Sequence, residues 1–421
     1  MFIKMTQRKI YTLLLICMSL FNAFAQVENE VAPPFNIKSV AFVQNENVTI
    51  PIFRLGEPFQ LEFDDVYGNE ADYYFTITQY NYDWTPTDLG KAEYMRGIDN
   101  QRIINYKNSF NTLQIYSHYT QSFPNKFNQI LLTGNYMLKI FNSSQELVFS
   151  RKFIIYEDRV PVAVQVKRSR DLEIIDHMQN LYFTISTVNY LLQNPIQNVK
   201  IALFQNGRLD NGIYNIKPQY TIGNELIYRH EKETRFWGGN EFLNFENKDI
   251  RAVANNVAHV SAGDLYNSHL YMNASRKKNS YTYYPDINGS FMPNNINAED
   301  NNIEADYAWV YFILNTNTFM DKNDIYIGGM FNNFAHTPEY KMDYNAEKGL
   351  YEKALLIKQG FTNYQYEIVD KNGKVDFENA VDGNYWQTEN NYFVIVYYRG
   401  NNDRYDRVIG KGIATSTNIT N

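Results

Sequence analysis

Apolar and polar residues alternate with a period of two along most of the chain. Phe59-Gln60-Leu61-Glu62-Phe63-Asp64 and Tyr364-Gln365-Tyr366-Glu367-Ile368 show the pattern plainly. Residues 73–80 add the aromatic and β-branched side chains that suit a pleated, half-buried surface. The pattern predicts strands joined by turns, and no stretch sustains the 3.6-residue period of an amphipathic helix.

The strand runs fall into three groups. The first closes with residues 135–141 and 147–156, joined by the turn Asn142-Ser143-Ser144. A short charged link containing a proline follows, Glu157-Asp158-Arg159-Val160-Pro161. The second group opens at 162–166, continues through 181–188 and 199–204, and is expected to end with the strand 305–314. Asn206-Gly207 predicts a tight hairpin turn there. The polar stretch 285–302 predicts an irregular loop. The third group runs from 325–331 to 392–398. The expectation is an all-β chain of three consecutive immunoglobulin-like or early-set sandwiches. They span 26–157, 158–318 (with long irregular loops) and 319–421, after a leader at 1–25.

The leader changes the picture of where the chain works. Lys4, Arg8 and Lys9 precede an apolar stretch that ends at Ala23-Phe24-Ala25. A basic start, an apolar middle and a small-x-small end mark a cleaved secretory signal. The sole cysteine, Cys17, lies within it between Ile16 and Met18. The processed chain then has no thiol for a disulfide, a thiolate metal site or a nucleophile. Three of the 39 basic and none of the 46 acidic residues lie in the leader, which leaves a net charge of −10. That balance disfavours nucleic acid as partner. No later segment has the length and apolarity of a membrane span, so no direct insertion is expected.

The chemistry-bearing residues give little. There is no G-x-S-x-G elbow, H-E-x-x-H pair or phosphate loop. The six histidines, at 118, 177, 230, 259, 269 and 336, show no metal-ligand spacing; His259 and His269 stand ten apart on different segments. Asp286-Ile287-Asn288-Gly289 and Asp370-Lys371-Asn372-Gly373 open like calcium loops but lack the glutamate at the twelfth position. They read as turns. No catalytic, metal or cofactor residue is assigned, and the chain is read as a binder and not an enzyme.

The unusual quantity is aromatic content, 35 Tyr, 28 Phe and 4 Trp. Most such rings fill cores. One segment concentrates them: Phe236-Trp237-Gly238-Gly239-Asn240-Glu241-Phe242. It reads either as a corner where glycines bend the backbone between core rings, or as a partner-binding loop. The candidate contact residues are Phe236, Trp237, Asn240 and Phe242.

Four pieces carry a resemblance: Val188-Asn189-Tyr190, the run from Val199-Lys200-Ile201 to Gln205-Asn206-Gly207-Arg208, the Gly-Gly-Asn-Glu-Phe segment, and Ala305-Asp306-Tyr307. In this order, over residues 30–315, the chain resembles the plug protein of the Bacteroidota type IX secretion system. It departs at Leu243 and Glu246, where the family pattern has an arginine and an aspartate. The resemblance implies a periplasmic protein docked at the inner side of the outer membrane. Its partner would be the large translocon β-barrel, whose periplasmic opening it seals when no client is in transit. It implies no contact residues. Residues 328–334 and 351–367 are similar to early-set modules that include glycogen- and starch-binding ones. Phe334 stands at the sugar-stacking position, and a glycan-binding protein is the alternative reading.

Overall fold

The computed structural model describes residues 27–316 and 322–419. The leader with Cys17, and the expected boundary at 318, lie outside the described residues. The alternating segments do form strands, and the chain is all-β, built of sheets packed face to face.

The first pair of sheets uses residues 37–156. One sheet runs in the order Asn47–Thr49, Ile37–Gln44, Phe59–Asp65, Ser117–Phe123, Tyr106–Asn108. The other runs Ile52–Arg54, Leu147–Tyr156, Gly134–Phe141, Tyr74–Tyr80, Gln101–Arg102. The inward residues of each strand make one core in which rings dominate. Phe53 and Phe59 stack at 3.9 Å, and Phe42 meets Phe53 edge-on at 5.5 Å. These are the cross-sheet contacts expected when every second residue of a strand is aromatic.

The second pair sets Val162–Arg168, Met178–Ser186, Glu225–Tyr228 and Tyr220–Ile222 against Ile213–Tyr214, Val199–Gln205, Asn391–Tyr398 and Arg407–Thr415. Asn206 and Gly207, with φ of 52° and 71°, start the turn after Val199–Gln205, but the next strand begins only at Ile213, so the connection is a longer loop than the tight hairpin expected. A side chain on Gly207 would meet Ile50 at 2.2 Å, so the turn is also a close approach to the first body.

The third pair is built between those strands. Gly360–Val369 pairs with Leu243–Glu246, Phe291–Pro293 and Asp324–Gly328. Facing it are Val257–Ala262, Tyr266–Leu270, Tyr307–Asn315, Leu350–Lys358 and Asp343–Asn345.

Several strands thus sit elsewhere than the sequence suggested: those from Leu243–Glu246 to Tyr307–Asn315 lie in the third body, and Asn391–Tyr398 and Arg407–Thr415 in the second. Tyr307–Asn315, expected to end the second body, lies in the third and pairs with Leu350–Lys358 over eight positions. Asn391–Tyr398, expected to close the third body, pairs with Val199–Gln205 over seven positions. The chain leaves the second body near 239, builds the third, and returns near 385. A period of two reports which face of a strand is buried and carries no information on its neighbour.

Candidate functional site

The Gly-Gly-Asn-Glu-Phe segment is where the chain crosses into the third body, beside the point where it crosses back. Gly238 donates to the His177 carbonyl, and a Cβ there would lie 2.2 Å from the Tyr385 carbonyl oxygen. Tyr385 N–H donates to the Gly239 carbonyl, as does the Thr388 hydroxyl. Asn240 donates its amide to the Asp382 carbonyl at 2.9 Å. The buried Glu241 carboxylate accepts from the Glu389 N–H at 3.0 Å and from the Tyr281 hydroxyl. Burial raises the Glu241 carboxyl to about 7, although both bonds favour its anion.

The four candidate contact residues fit this corner. Phe236 is buried in the second core, 5.4 Å from Tyr392. Phe242 is buried against Phe334 at 6.4 Å. Only Trp237 and Asn240 keep partial exposure, and Asn240 is engaged as above. The glycines let two strands pass at backbone distance while the rings fill the cores on either side, so Phe236 and Phe242 face inward and present no binding surface.

Ala305-Asp306-Tyr307 is a second joint, between the third body and the first. The Asp306 carboxylate accepts from the N–H groups of Leu113 and Gln114 at 2.7 and 3.0 Å. Tyr307 donates its hydroxyl to Asp64 at 2.6 Å. Asp64 is fully buried and also meets Lys358 and His118, each at 2.7 Å. Burial alone would raise the Asp64 carboxyl, but Lys358 and His118 hold it below the usual carboxylate range. Sequence reasoning did not connect these residues, because, His118 and Asp64 apart, the paired groups lie more than 190 positions from each other. A third joint links the second body to the third: Arg208, buried, pairs with Glu367 and Asp210 and covers the Phe334 ring at 3.8 Å. Phe334 is therefore no open platform for a sugar.

Beside the Asp64 cluster the first and third bodies enclose a cleft of about 1110 Å³, lined among others by Val43, Gln60, Glu62, His118, Phe291 and Asn301. Next to it the loop 109–115 is pinned by Asp306 and by Ile303, whose carbonyl accepts from Phe110. Despite that anchoring, Phe110, Leu113 and Ile115 stay exposed, at 65, 54 and 59 %. Exposed Tyr67 lies alongside, since Gln114 reaches the Val66 carbonyl and Ile115 packs by Gly68. Among the described residues no group of three or more His, Cys, Asp or Glu could hold a metal, and no helix is long and apolar enough to cross a membrane.

The family described as "Type 9 secretion system plug protein 1st domain" matches residues 37–157, the first body. The chain belongs to the type IX secretion system plug family. The likeness extends past the matched domain. A solved structure of a hypothetical protein from Parabacteroides merdae ATCC 43184 is 30% identical with a TM-score of 0.87, covering 93% of this chain and 100% of its own. No curated protein matches. Three of the four segments that carried the family resemblance contribute, in this plug-family chain, to the joints between bodies, while Val188-Asn189-Tyr190 stays in the second body, with Tyr190 against Tyr398.

Proposed function

We propose that this chain is a periplasmic plug subunit that binds the periplasmic opening of the type IX translocon barrel and seals it when no client is passing. The match of residues 37–157 to the plug family carries the reading. The fold supports it. A plug must resist deformation, and here the bodies are tied by buried charged and polar joints rather than by an open linker. The pinned apolar loop at Phe110, Leu113 and Ile115 offers a firm, uncharged contact surface. The chain acts by binding and not by catalysis, and its leader directs it across the inner membrane.

A tagged chain purified from detergent extracts should bring down the outer-membrane barrel, and the F110D/I115D variant should recover at least about tenfold less of it. Loss of the gene should admit large antibiotics in cells that keep the barrel. Absence of the barrel from the wild-type eluate, or an outer membrane as tight without the chain as with it, would remove the proposal.

A further inference from the structure

Four of the six histidines use a ring nitrogen inside the molecule. His118 meets Asp64, His177 the Asn384 carbonyl, His230 the Lys217 carbonyl and His336 Glu367. The other two do not. His259 and His269 have ring contacts but no hydrogen bond or ion pair among the described residues.

They are also directly opposed. In the hairpin of Val257–Ala262 and Tyr266–Leu270, Val257 lies across from Leu270, and an unbroken ladder would set His259 across from buried Ser268. A bulge at Ala258 shifts the register by one, so His259 faces His269. Bulges of this kind re-aim side chains and recur near functional positions. The ring centres are 5.6 Å apart. Two imidazoles on one tetrahedral ion, at metal–nitrogen bonds of about 2.0–2.1 Å, have ring centres roughly 5–6 Å apart. His269 is stacked on Tyr311 at 4.3 Å, which fixes its plane. His259 is exposed and His269 partly so, at the outer edge of the sheet, where an ion can enter.

We infer that His259 and His269 form a two-imidazole site for a borderline divalent transition-metal ion such as Zn²⁺, Ni²⁺ or Cu²⁺. The hard cations Mg²⁺ and Ca²⁺, which take oxygen ligands, are excluded by the donor set. Two coordination positions remain for water or for a donor on an apposed surface.

Calorimetric titration of the metal-stripped full chain with ZnCl₂, NiCl₂ and CuSO₄ tests the assignment. The site should bind one ion, with Cu²⁺ the tightest. H259A and H269A should each weaken it at least about tenfold, and H230A should not. MgCl₂ should give no heat at this site. Both residues lie on the surface of a formed hairpin, so thermal melts of the variants should match the wild type. Equal binding by the wild type and the H259A/H269A double variant, or no binding by the wild type, would overturn the assignment.

Discussion

Lys358 reaches from the third body to set its ammonium 2.7 Å from the Asp64 carboxylate of the first, with both side chains almost wholly buried. Tyr307 donates to the same carboxylate oxygen, and His118 meets the other. Removing one partner of such a pair leaves a buried charge unmatched, which costs about 3–5 kcal/mol. K358M should therefore lower the urea midpoint sharply at neutral pH, and D64N/K358M should recover part of the loss. Glu241 and Glu367 make opposite contributions to pH dependence. Burial alone would raise the Glu367 carboxyl, but Arg208 and His336 bring it down to about 2 from 4.5. Its stabilisation is complete above the unfolded value and is lost as pH falls toward about 2. Glu241 is raised to about 7 from the same reference. Its contribution is complete below the unfolded value and is lost as pH rises through about 7. The wild-type melting temperature should then fall between about pH 5 and pH 8, and E241Q should flatten that slope. An unchanged slope in E241Q would show that the carboxyl titrates normally.

At the scale of elements, the sequence disclosed far more about strands than about their neighbours. Residues 59–64 and 364–368 alternate, 135–141 and 350–357 are rich in apolar and aromatic residues, and each lies within a strand. The strand 392–398 was equally legible, yet seven consecutive residues as apolar as Tyr392-Phe393-Val394-Ile395-Val396-Tyr397-Tyr398 could close either body. Its partner Val199–Gln205 is chosen by the double crossing at Gly238-Gly239 and Tyr385, which no local pattern reveals. The opposition of His259 and His269 was hidden for a related reason, because it depends on one extra residue in a ladder. The crossing itself is sensitive. G238A places a methyl group 2.2 Å from the Tyr385 carbonyl oxygen, where only backbone movement can relieve it. Such overpacking costs about 1–3 kcal/mol or more. Chemical denaturation of G238A should show that loss, whereas G223A, at an open turn position, should lose only the smaller strain of its positive φ.

At the scale of the whole molecule, the third body is an insertion in the second, and three sets of buried polar contacts tie the bodies into one piece. A chain ending at 385 would keep nearly all of the third body and lose Asn391–Tyr398 and Arg407–Thr415 from the second. Those strands supply Tyr392, Val394, Val396 and Ile409 to its core. The truncated chain should therefore fail in the second body, read as rapid proteolysis within residues 160–238. Selective loss of the third body instead would contradict the pairing.

The same insertion sets a clock on manufacture. The Val199–Gln205 strand is made early, but its neighbour Asn391–Tyr398 is made almost last. At about 5–20 residues per second, the half-built sheet waits roughly ten to forty seconds for its partner. Throughout that interval an apolar strand lies open, and only a chain carried to its final strands can cover it. An unfinished copy would keep that strand uncovered and open to proteases.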